Sequence, residues 1–121
     1  YTNHMAIVFV VTLTNENLIS CNQGDPRQRD QALQVNKDYF KIAVGLTEEK
    51  ARTLYRKHFK DQFQFDIICS DVSQSQAYTI KREIREALSD KLIVHNNRAN
   101  DWMHRQNFDH AMKVIDPYRQ R

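Results

Sequence analysis

Residues 6–14 (AIVFVVTLT) are β-branched or apolar almost without interruption, and a run of that kind predicts a central strand. Asn15, Glu16 and Asn17 follow as a turn cluster. Residues 18–21 read as a second, short strand, so the pair predicts a hairpin. Asp25 as a cap and Pro26 at a first helical position open a short helix running to about Val35. Residues 39–46 (YFKIAVGL) again have strand composition. Thr47 with Glu48 and Glu49 then starts a helix. Its apolar positions Ala51, Leu54, Tyr55 and Phe59 form a stripe, while Arg52, Arg56, Lys57 and Lys60 face elsewhere. Phe63, Phe65, Ile67 and Cys69 alternate with polar residues, the period of a half-buried strand. Residues 73–75 cap the longest helix, in which Ala77, Ile80, Ile84, Ala87 and Leu88 recur at helical spacing. A short extended run at 92–94 precedes helix around Trp102 and Met103, and again over 108–115, ended by Pro117. The pattern predicts an α/β (α+β) protein. Its small central sheet is at least partly antiparallel, with an N-terminal hairpin and three to four flanking helices.

Composition narrows this little. The chain has 121 residues, 40% of them hydrophobic, which is an ordinary globular balance for one domain spanning 5–121. Residues 1–4 (YTNH) read as an expression scar. No apolar run approaches the ~20 residues of a membrane span, so no membrane partner is expected. Two cysteines, Cys21 and Cys69, each end a strand-like run and read as reduced thiols of a cytoplasmic protein. With only Gly24 and Gly45, no glycine-rich phosphate loop or dinucleotide fingerprint exists, and no organic cofactor is expected. The formal charge of +3 is compatible with a phosphate-bearing partner without requiring one.

The order hairpin, arginine-bearing helix, strand, glutamate-bearing helix and Asn96-Asn97 resembles the GIY-YIG nuclease domain over residues 6–97, with a C-terminal helical extension at 98–118. In that family the second strand ends in a Tyr-x-Gly turn, and a catalytic arginine follows eight residues after the glycine. Here residues 18–21 take the strand's place and Arg29 falls eight residues after Cys21. A strand with the flavour of Phe65-Asp66-Ile67-Ile68 then precedes the helix carrying Glu83, at the place of the family's metal-binding glutamate. The resemblance implies a metal-dependent phosphodiesterase that uses Mg2+ or Mn2+, with Arg29 and Glu83 as catalytic residues. Both signature motifs are altered. Phe9-Val10-Val11 replaces the first, Ile19 stands where the second has its tyrosine, and Cys21 where it has its glycine. A hydroxyl to activate a nucleophile is missing there, so nucleic-acid contact is implied more than hydrolysis.

Candidate residues divide accordingly. Arg27 and Arg29 sit where a helix N-terminus and two guanidinium forks suit a phosphate; the bland alternative is a surface pair answered by Asp25 and Asp30. Arg52, Arg56, Lys57 and Lys60 make one helix a basic face, with Tyr55 and Phe59 read as core. Glu83 is either a metal ligand or an i,i+4 partner on a charged helix. Tyr39, Tyr78 and Tyr118 are spare aromatics, with Tyr78 read as half-buried packing. His95, His104 and His110 lack metal-ligand spacing. Trp102 and Met103, in a polar and asparagine-rich tail, are either a protein-contact site or docked on the sheet. Two functions follow. The first is a small nucleic-acid-contacting protein resembling a degenerate GIY-YIG domain. The alternative is a non-enzymatic protein-binding module, an inhibitor or adaptor of the kind phages and mobile elements encode, acting through its tail.

Overall fold

The computed structural model describes residues 5–14, 19–20, 34–35, 37–92 and 102–119. Among the described residues six strands and three α-helices follow one another: β1 (Met5–Leu13), β2 (Ile19–Ser20), β3 (Gln34–Val35), β4 (Tyr39–Gly45), α1 (Glu48–Phe59), β5 (Phe63–Ser73), α2 (Gln74–Ala87), β6 (Met103–His104) and α3 (Phe108–Ile115). The main sheet has the order β5-β1-β4-β6 and is antiparallel throughout.

β1 is the central strand its composition predicts, and every residue from Ala6 to Leu13 is buried. Its pleat sends alternate side chains to opposite layers. Ile7, Phe9, Val11 and Leu13 meet Ala51, Tyr55 and Phe59 of α1 on one face. Ala6, Val8 and Val10 meet Ala77, Ile80 and Ile84 of α2, with Ala111 and Ile115 of α3, on the other. The sheet is therefore sandwiched, and α1 and α2 lie on opposite faces of it. Gly45 permits the close seat of α1. A Cβ there would stand 3.1 Å from the Ala51 Cβ and 3.2 Å from the Phe9 ring.

Local signals set the helix starts. The Thr47 hydroxyl accepts from the Lys50 amide at 3.0 Å. Ser73 and Gln76 form a reciprocal capping box at the head of α2.

Long-range pairing departs from the sequence reading in four places. The antiparallel partner of β1 on this side is β4, from Ile7 opposite Gly45 to Thr12 opposite Phe40, and Ile19–Ser20 pairs instead with Gln34–Val35. Gln34 and Val35 are strand where a helix end is predicted; the rest of that expected helix lies outside the described residues. Met103 is in strand β6, paired with Phe40, where a helix is predicted. The alternation of β5 also changes phase. Val8 pairs with Cys69 but Phe9 pairs with Ile67, so Ile68 is an extra residue. Phe63, Phe65 and Ile67 stay on the α1 face, whereas Ile68, Cys69 and Val72 join the α2 layer. Cys69 is thus a buried thiol outside any disulfide among the described residues, on the face opposite to the one predicted. Cys21 lies outside the described residues.

The end of the chain is clasped to the edge strand β5. Arg119 donates to both carboxylate oxygens of Asp66, at 2.9 and 3.4 Å, and to the Ile67 carbonyl at 3.2 Å. It also donates to Asp116 at 3.1 Å. The bond to Asp66 leads in holding the guanidinium above its ordinary basicity. These groups are partly solvated, so Arg119→Ala should cost only about 1 kcal/mol, the scale of a net charge-assisted contact at a surface. Urea unfolding reads this directly; an unchanged midpoint would show the clasp to be energetically idle.

Candidate nucleic-acid interface

The candidate face lies on α1. Glu48 and Glu49 occupy its first turn and Arg56, Lys57 and His58 its last, both favoured by the helix dipole. Ala51, Tyr55 and Phe59 recur every four residues and are buried, so the two aromatics are spent on the core as predicted. Tyr55 packs edge-on against Phe9 at 5.8 Å, and Phe59 edge-on against Trp102 at 6.0 Å. Leu54 does not join them. It is 50% exposed, because the seam runs along one i,i+4 row and Leu54 sits a quarter-turn away.

The cations of this helix are not equivalent. Arg52 donates to Glu48 at 2.8 Å and lies over the Phe65 ring at 4.6 Å. Arg56 approaches Asp61 at 3.3 Å, but both groups are well exposed and such a pair contributes about 0–1 kcal/mol. Lys50, Lys57 and Lys60 are exposed, with no acidic partner among the described residues. Lys50 escaped the sequence reading, since it stands beside two glutamates. The signal that finds it is its seven-residue spacing from Lys57, which returns to the same strip of helix.

Lys60 caps the helix at φ 56°, donating its amide to the Arg56 carbonyl at 2.8 Å. That left-handed conformation is one glycine adopts without strain, at a difference of order 1 kcal/mol. Lys60→Gly is therefore expected to raise the thermal midpoint by a few degrees, the usual return on about 1 kcal/mol in a chain this size. Calorimetry checks it; a lowered midpoint would mean that the lysine stem packs usefully.

Glu83 lies on α2, across the sheet from these cations. Its carboxylate accepts from the Tyr118 hydroxyl at 2.9 Å, a partner not evident from sequence. It lines an open groove of about 430 Å3 with Asp71, Ser75, Gln76 and Thr79. One carboxylate oxygen is committed to Tyr118, and no group of three or more His, Cys, Asp or Glu side chains converges among the described residues.

Arg27, Arg29, His95, Asn96 and Asn97 lie outside the described residues, so the convergence of Arg29 with Glu83 does too. Arg52, Arg56, Lys57 and Lys60 and the glutamate are not brought together. Trp102 and Met103 are each 2% exposed, which corrects the reading of them as a contact surface. β6 places Met103 beside Phe40 in the α2 layer, whereas Trp102 enters the α1 layer. Tyr78 is 59% exposed rather than half-buried. Tyr39 packs edge-on against His104 at 5.8 Å.

No family model matches the chain, and no curated protein or solved structure does. Among the described residues no helix is long and apolar enough to cross a membrane.

Proposed function

We propose that the protein binds nucleic acid through the outward face of α1, as a non-hydrolytic domain resembling the GIY-YIG nucleases. The observation that carries the proposal is the division of labour on this helix. Its aromatics are consumed by the core, while Lys50, Lys57 and Lys60 stand exposed without acidic partners among the described residues and Lys60 occupies a backbone conformation that favours glycine. A row of unneutralised ammonium groups on a rigid element suits phosphates, whose bound counterions are released on contact.

β4 lies beside β1, ends in Gly45 and feeds directly into the arginine-bearing α1. Arg52 and Glu83 belong to helices on opposite faces of the sheet, so a phosphate held by one is out of reach of the other. That separation favours contact without cleavage. The rival reading, a protein-binding module acting through the tail, loses Trp102 and Met103 as anchors because both are core.

Two assays test the proposal. A labelled oligonucleotide should bind with an affinity that falls steeply with salt. Supercoiled plasmid with Mg2+ or Mn2+ should stay intact, and nicking that disappears in Glu83→Ala would contradict the non-hydrolytic reading.

A further inference from the structure

Beside the basic row lies an apolar cleft of about 150 Å3, between the end of β4 and the first turns of α1. Leu46 and Leu54 form its lips, Phe9, Gly45 and Tyr55 its floor, and Lys50 its rim. Leu46 is 44% exposed and Leu54 50%, and they are two of only four large hydrophobic side chains left exposed among the described residues. The exposed apolar pair and the lysine on its rim put an apolar and an ionic contact side by side. Lys50, Leu54 and Lys57 stand at i, i+4 and i+7 and so share one strip of the helix. The two ammonium stems are rooted about 10 Å apart along the axis, with the leucine between them.

From this arrangement we infer that the occupant is single-stranded nucleic acid, with an unpaired base seated on the Leu46–Leu54 cleft and its flanking phosphates on Lys50 and Lys57. The inference rests on the nucleic-acid reading above and adds strandedness to it. A duplex keeps its base faces inside the stack and offers a helix face only its charged backbone. Two half-exposed leucines would then be set against phosphate, with no apolar surface to cover them. A single strand presents bases and phosphates in alternation, which is the order of the side chains on this strip. Stacking and apolar contact tolerate any base, because every base has an apolar face. The cleft thus predicts preference for unpaired strands without sequence specificity.

The test is fluorescence anisotropy at one fixed salt concentration with three probes. These are a labelled 12-nucleotide single strand, the same strand carrying three consecutive central abasic sites, and its duplex. Each stacked base contributes about 1–3 kcal/mol on aromatic platforms, and an aliphatic platform belongs at the lower end, so the abasic strand should bind about 5- to 10-fold more weakly than the intact one. The duplex should be weaker by a similar factor. Leu54→Asn changes no charge and alters a half-exposed position. It should equalise the intact and abasic strands while leaving the salt dependence as it was. Equal binding of intact and abasic strands by the unaltered protein would overturn the base cleft yet leave phosphate binding standing. So would competition by polyglutamate as effective as that by the strand, since that polymer offers charge without bases. Failure of all three probes to bind would remove the nucleic-acid reading itself.

Discussion

Trp102→Ala should destabilise the protein by about 3–5 kcal/mol, the range for truncating a large buried aromatic. Its side chain is 2% exposed and belongs to the layer between β1 and α1, with Phe9, Val11 and Leu13. The Phe59 ring meets it edge-on, and the Lys41 ammonium lies 5.5 Å from its ring centre. Alanine leaves a cavity that the sheet cannot close, since β1 is held between β4 and β5. Against a total stability of about 5–15 kcal/mol, the loss is severe. Trp102→Phe separates ring burial from the indole N–H. The Nε1 atom has no hydrogen-bond partner among the described residues, so phenylalanine forfeits volume but no bond and should cost about 1–2 kcal/mol. Urea denaturation of both variants decides the matter. If Trp102→Ala left stability intact while abolishing the binding of a protein partner, the tail would be a contact site after all.

Replacing Lys50, Lys57 and Lys60 together by glutamate should reduce oligonucleotide affinity by about 100-fold or more at moderate salt. Three phosphate contacts are lost and three repulsive charges appear in their place. The fold should survive, because all three side chains are exposed and unpaired with any acid among the described residues. Opposed dipole effects at the two ends of α1 are worth only about 0.3–1 kcal/mol each. Circular dichroism and a thermal melt establish that the variant is folded. Retention of affinity by a folded triple variant would move the interface off α1.

How much of this was legible in the sequence depends on the range of the interactions concerned. Thr47 and Ser73 announce their helices because a cap is satisfied within three residues. β1 is legible because burial on both faces leaves an unbroken apolar run. The partner of β1 is not, since nothing local distinguishes residues 18–21 from β4, and only the sheet's register makes the choice. Cys69 changes layers through one extra residue in β5, a bulge that composition does not mark. Trp102 and Met103 look exposed because their sequence neighbours are polar; β6 draws them inward through pairing with a strand more than sixty residues earlier. The basic character of α1 was readable, but which cations are free was not. Arg52 is occupied by Glu48 and Phe65, whereas Lys50 has no acidic partner among the described residues although Glu48 and Glu49 stand beside it in sequence.

The salt dependence of oligonucleotide binding, compared between the unaltered protein and a Lys50/Lys57/Lys60→Gln variant, bears most directly on the α1 interface. Each phosphate contact contributes about 0.7 to 0.9 to the slope of log affinity against log salt. The variant's slope should therefore be shallower by about 2 to 3. Equal slopes in the two proteins, or no salt dependence in either, would contradict a phosphate-binding role for this helix.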